Sequence, residues 1–180
     1  MEHSLTDMEI RQCFDSDDDV GVMTYADCHQ YPILEILNSY PTKAIIILVR
    51  ASDTYGHWVA VFLSNGKEHG IHVFDSYGNS PDAEVWNRGV SKSTQQRLGQ
   101  DAPYLLQQLY DSGCELYFND HHYQSKCKLA NGEPIATCGR HCVTRVMCSD
   151  LSCAEYDKFM RLNCERYQIT PDEFVTFLTN

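Results

Sequence analysis

Three strand-like runs between residues 44 and 75 constrain this chain more than any other feature. Ala44-Ile45-Ile46-Ile47-Leu48-Val49 is apolar throughout and rich in β-branched side chains, as a strand buried on both faces should be. His57 to Leu63 and His69 to Asp75 then flank Ser64-Asn65-Gly66-Lys67-Glu68, and Asn-Gly is a strong hairpin-turn signal. A hairpin symmetric about Gly66 pairs residues whose numbers add to 132, as His57 and Asp75 do. That register sets His57 opposite Asp75, Val59 opposite Val73 and Val61 opposite Ile71 on one face. Trp58, Ala60 and Phe62 share the other face with His72 and Phe74. Directly opposed residues have Cβ atoms about 5 Å apart, close enough for a carboxylate to hold an imidazole N–H.

Helical signals surround these strands. Thr6-Asp7-Met8-Glu9 is a capping box opening a short helix toward Phe14, and Tyr31 to Asn38 is a second short helix stopped by Pro41. Pro103 to Tyr110 is expected to be helical and Leu116-Tyr117-Phe118 a short strand. Gly139 to Cys148 has apolar residues at 142, 143, 146 and 147, a helical stripe. Ser152/Glu155 opens a helix toward Asn163, and Thr170-Pro171-Asp172-Glu173 caps the last one. The expected fold is α+β: a central antiparallel or mixed sheet with helices before and after it, in one domain covering residues 1–180.

Composition removes several function classes. The net charge of −11 repels phosphate backbones, so no nucleic-acid partner is expected. Asp15, Asp17, Asp18 and Asp19 form the acidic cluster, a solvated loop. No apolar run is long enough to span a bilayer, so no membrane partner is expected. Met1-Glu2-His3-Ser4 lacks the basic and apolar regions of a secretory signal. Nine cysteines, an odd number, cannot all pair internally, which points to reduced thiols in an intracellular setting.

One cysteine stands apart. In Thr137-Cys138-Gly139-Arg140-His141-Cys142, Cys138 lies at the start of the helical stripe. A helix start lowers a thiol pKa and offers unsatisfied N–H donors to an oxyanion. Gly139 lets a substrate backbone approach. With His57 as base and Asp75 orienting it, Cys138 completes an activated nucleophile. Cys142 falls on the apolar stripe and is expected to pack in the core; His141 is not the candidate base. Cys13, Cys28, Cys114, Cys127, Cys148, Cys153 and Cys164 have no comparable setting. Cys138, Cys142, Cys148 and Cys153 with His141 are cysteine-rich, but no C-x2-C pair exists and the spacings match no zinc knuckle; no metal site is expected.

The chain order His-Trp, Asp at a strand end, Gln, then Cys-Gly resembles the adenovirus protease (adenain) family. That group includes the proteases that remove SUMO-type modifiers, the poxvirus core protease, and the capsid-maturation proteases of virophages and related large DNA viruses. The motifs are Gly56-His57-Trp58-Val59-Ala60-Val61, Val73-Phe74-Asp75-Ser76-Tyr77-Gly78, Tyr123-Gln124 and Thr137-Cys138-Gly139-Arg140-His141-Cys142. The resemblance runs by element order from about Ile45 to Met147. It implies an adenain-like fold with the nucleophile at the N-terminus of a buried helix. His57 is then the general base, Asp75 its partner and Cys138 the nucleophile. Gln124 donates its side-chain N–H to the oxyanion beside the Cys138 backbone N–H, although it lies 14 residues before Cys138, farther than in the adenovirus and SUMO proteases. Ser125 to Ala136, with Asn131-Gly132, would have to loop out. Trp58 is either a core aromatic or, as in the family, the wall of a narrow cleft that admits small residues such as glycine.

The expected activity is that of a cysteine endopeptidase, without cofactor, acting as a monomer on a viral capsid protein or its precursor. The host cytoplasm, the viral factory or the virion would be its location. The DNA activator of the adenovirus enzyme is not carried over, because of the acidic charge. The same fold supports deconjugation of ubiquitin-like modifiers and acetyl transfer from acetyl-CoA; the lack of a basic cluster counts against the latter. A non-enzymatic zinc-binding module is the alternative of a different class.

Overall fold

The computed structural model describes residues 4–53, 55–83, 89–126 and 135–180. Five strands form one sheet in sequence order: β1 (Gly21–Thr24), β2 (Ala44–Arg50), β3 (Gly56–Ser64), β4 (Gly70–Phe74) and β5 (Leu116–Phe118). The inner pairs β2/β3 and β3/β4 are antiparallel, while β1/β2 and β4/β5 are parallel, so the sheet is mixed. Helices α1 (Asp7–Gln12), α2 (Ile33–Asn38), α3 (Lys92–Arg97), α4 (Tyr104–Asp111), α5 (Cys138–Met147), α6 (Cys153–Tyr167) and α7 (Pro171–Leu178) surround it, with a 3-10 turn at Tyr25–His29. None of these helices is long and apolar enough to cross a membrane.

Alternation along the strands divides the core in two. Ala44, Ile46, Trp58, Ala60, Phe62 and Phe74 face the side covered by α1, α5, α6 and α7. Ile45, Ile47, Val49, Val59, Val61, Ile71 and Val73 face the side covered by the 3-10 turn, α2 and α4. Layers on both faces explain why β2 is apolar at consecutive positions.

The three capping boxes at Thr6/Glu9, Ser152/Glu155 and Thr170/Glu173 all form. α6 continues past Asn163 to Tyr167 and ends on Gln168 in the left-handed region, at φ 57°. Three elements lacked a readable signal. β1 is only four residues and buries only Gly21; the 3-10 turn is too short for periodicity; α3 buries no residue, so its sequence carries no apolar stripe. The acidic cluster is a turn-rich, mostly exposed loop, as expected.

The hairpin register differs from the sequence expectation. Ala60 pairs with Phe74, Val61 with Val73, Phe62 with His72 and Leu63 with Ile71. Five residues, 65–69, connect the strands, which moves the centre of the hairpin from Gly66 to Lys67. Gly66 is not among the glycines with positive φ, so Asn65-Gly66 does not make the primed turn its dipeptide suggests. Its missing side chain serves packing instead: a Cβ there would lie 2.0 Å from the carbonyl oxygen of Asp150. Cys127 and Asn131-Gly132 lie outside the described residues.

Candidate active site

α5 is buried from Cys138 to Val146 and lies against β3. The contact is fixed one turn into the helix, where Cys142 Sγ approaches the Trp58 carbonyl at 3.4 Å. Cys142 is thus a core thiol, and burial drives its pKa well up. One turn earlier, Cys138 shares one cleft with His57, at the opening of β3, and the two groups shift each other's pKa. His57 Nε2 lies 2.8 Å from Asp75 Oδ1, at the end of β4, which leaves Nδ1 as the ring nitrogen for the thiol. Extending the observed register sets Asp75 opposite Val59, not His57. The two side chains meet diagonally on one face, within reach of long side chains. The Asp75 carboxylate is fully buried, and 20% of the His57 side chain is exposed.

Electrostatics favour an ion pair. Burial opposes charge on all three groups, yet their hydrogen bonds and mutual attraction win. His57 is carried up to about 10 against burial by its hydrogen bonds to Asp75 and Cys138. Against the same penalty, the Cys138 thiol is lowered by His57 and by the backbone N–H groups of Trp58 and Gly139. Asp75 is held below the usual carboxylate range, again against burial, by His57, the Tyr77 N–H and the Asn79 amide. Both shifts act in the direction that favours a thiolate beside an imidazolium.

Gln124 lines the same cleft as His57 and Cys138, together with Tyr55, Tyr77 and Asn79. Its Oε1 accepts from Ser76 Oγ at 2.7 Å and its Nε2 donates to the Ile135 carbonyl at 2.7 Å. A carbonyl on one side and a hydroxyl on the other orient the amide, leaving a second Nε2 proton for a further acceptor. The Gln124 and Tyr123 amides both donate to the Ser76 carbonyl, which anchors this segment to the turn after β4.

Trp58 and Gly139 stand differently. Trp58 is buried, its Nε1 donates to the Leu5 carbonyl at 3.1 Å, and its remaining edge lines a second hollow. That hollow meets the His57 cleft at Ser4, Tyr55 and Gly56. Gly139 was expected to admit a substrate backbone; instead the space over its Cα is filled. A Cβ there would meet Trp58 Cδ1 at 3.2 Å, Leu5 Cβ at 3.4 Å and Ile10 Cδ1 at 3.5 Å. Its small size lets α5 pack under the tryptophan.

Several contributors had no sequence signal. Asn119, 44 residues from Asp75, accepts from the Asp75 N–H and donates to the Asp75 carbonyl, at 2.9 and 2.7 Å. Tyr77 stacks on His57 with ring centres 5.2 Å apart. Asn79 Nδ2 donates to Asp75 Oδ2 at 2.8 Å. The sequence marked Asp75-Ser76-Tyr77-Gly78 as part of a motif, and not for these contacts.

His141 is fully buried and turned away from the thiol, toward Asp172 at 3.1 Å. Among the described residues, Glu68, His72 and Cys153 bring potential metal-ligand atoms within 4.8 Å of one another. The His72 Nδ1 that a cation would need faces the Arg145 guanidinium at 3.4 Å, and burial raises the Cys153 thiol to about 11. A fixed cation already sits at that point, so the cluster suits packing better than metal binding.

No protein-family model matches the chain. The chain is similar to the "Uncharacterized protein V9" of Sputnik virophage, with 32% identity over 164 residues, covering 91% of this chain and 87% of that protein. The chain belongs to the family of that virophage protein.

Proposed function

We propose that this virophage-related chain is a cysteine endopeptidase of the adenain and SUMO-protease type, cleaving a viral capsid protein or its precursor near small residues. The observation that carries the reading is His57 held between Asp75 and Cys138, with the thiol lowered and the imidazole raised. The mixed sheet, with the cysteine opening a buried helix beside it, suits an adenain-like fold. Kinship with a virophage protein favours a maturation role over a host deconjugase.

In this mechanism the Cys138 thiolate attacks a peptide carbonyl carbon, forming the C–S bond and pushing charge onto the oxygen. The Cys138 N–H, in the first helical turn and without an intrahelical acceptor, and the Gln124 Nε2 proton receive that oxyanion. The C–N bond breaks as the His57 imidazolium protonates the leaving amine. Neutral His57 then takes a proton from water, whose oxygen attacks the thioester. The C–S bond breaks, the acid product departs and the thiolate–imidazolium pair is restored. Asp75 stays ionised and keeps the ring oriented. The Trp58 hollow would take the residues before the scissile bond, with the peptide gripped through its backbone.

The test is incubation with candidate capsid proteins and mass spectrometry of the fragments. Cys138→Ala and iodoacetamide treatment should each abolish cleavage. Full activity in either case would sink the mechanism. Release of a modifier from its conjugates, with capsid proteins left intact, would reassign the substrate.

A further inference from the structure

We infer that Asp172, on the C-terminal helix, is a positioning residue that sets the distance between the two oxyanion donors, Gln124 and Cys138. The inference rests on the peptidase reading. One carboxylate holds both donor segments. Asp172 Oδ2 accepts from the backbone N–H of Ser125, the residue after Gln124, at 2.9 Å. Asp172 Oδ1 accepts from the hydroxyl of Thr137, the residue before Cys138, at 2.5 Å, and faces His141 Nε2, one turn further into α5, at 3.1 Å.

The need for such a tie follows from the chain path. Gln124 and Cys138 are separated by 14 residues of sequence, so the backbone alone sets their relation poorly. Through Asp172 the path is two hydrogen bonds. The carboxylate is not otherwise required by its own helix. Thr170 and Glu173 form the α7 capping box, and Phe174 and Val175 bury the helix in the core. Burial of Asp172, 4% exposed, raises its pKa, but His141, Thr137 and the Ser125 N–H outweigh this and hold the group ionised. An ionised carboxylate accepts at both oxygens; an asparagine in its place must turn an NH2 toward one of the donors.

An oxyanion donor acts on carbonyl substrates, not on alkylation, which needs only the thiolate. This separates positioning from general damage. With a fluorogenic peptide ending in Gly-Gly-aminomethylcoumarin, Asp172→Asn should lower kcat by about 10- to 100-fold, the scale of a small misplacement. KM, the rate of Cys138 alkylation by iodoacetamide and the pH profile of that alkylation should stay as in the wild type. Gln124→Ala alone should lower kcat by about 10²–10³. In that background Asp172→Asn should add nothing, because the donor it positions is gone. Wild-type kcat in Asp172→Asn, an equal loss in both backgrounds, or a matching fall in alkylation rate would each overturn the inference. If Asp172→Asn does not fold, Thr137→Val removes one of the ties; it should lose kcat at unchanged alkylation, and an unchanged kcat would overturn the inference. Wild-type protein that cleaves neither this peptide nor capsid proteins removes the peptidase reading and this inference together. Cleavage by the wild type with no effect of the variants removes the inference alone.

Discussion

Asp75 reaches His57 across a diagonal of the β3–β4 face, at 2.8 Å, and not from the directly opposed position. The diagonal places Asp75 one residue beyond the end of β4, where its carboxylate can also accept from the Tyr77 N–H at 2.8 Å and from Asn79 at 2.8 Å. The Asp75 carboxylate is thus oriented by the turn that follows it.

The coupling of His57 to Cys138 has a pH signature. Alkylation of Cys138 should gain rate on the acid side, as pH rises through its lowered pKa. Peptide cleavage should fall on the alkaline side, as His57 loses its proton near about 10. Because the folded His57 pKa lies above its ordinary 6.5, the contribution of His57 to stability is complete below 6.5 and is lost as pH rises through about 10. Asp75 works the other way: its contribution is present above the ordinary 3.8 and is lost as pH falls through its depressed value. In Cys138→Ala the His57 pKa should drop, read from its ring proton shifts by NMR. An unchanged His57 titration in that variant would show the two groups to be uncoupled.

Asn119→Ala should weaken both fold and catalysis. It removes the amide that accepts from the Asp75 N–H and one of two donors to the Asp75 carbonyl, which keeps the Gly78 N–H at 2.8 Å; losing the N–H bond at a buried residue costs about 1–3 kcal/mol. Urea unfolding should show the loss in midpoint at unchanged slope, and kcat should fall as the Asp75 turn loses its anchor. A variant as stable as the wild type would mean that water replaces the amide at no cost.

Gly66→Ala should destabilise by about 1–3 kcal/mol without altering the site, since its added methyl meets backbone rather than a side chain that could turn away. The measurement is thermal unfolding with cleavage assayed in parallel. A neutral or stabilising result would show that Gly66 serves its turn and not the approach of Asp150.

Cys138 and His57 were legible as candidates because each carries a local signature: a cysteine opening a helical stripe, and a histidine at the head of a strand. The hairpin face was right and its register was not. A shift of one residue in each strand preserves alternation, so period-two patterning cannot detect it. Gly139 shows the same limit. Its sequence position beside the nucleophile suggested substrate access, whereas Trp58, Leu5 and Ile10 occupy the space over it.

By itself, the sequence determined the α+β class, the buried strand, the three capped helices and the identities of His57, Asp75, Gln124 and Cys138 as a candidate set. These depend on periodicity and short-range chemistry, which are written within a few residues of each other. The tertiary structure decided the diagonal His57–Asp75 contact, the Asn119 clamp and the meeting of Ser125 and Thr137 at Asp172. Those contacts join groups 18 to 47 residues apart, and no local preference encodes them. Once packing removes water from these polar groups, each must find its partner inside the protein, and that requirement selects the geometry of the site.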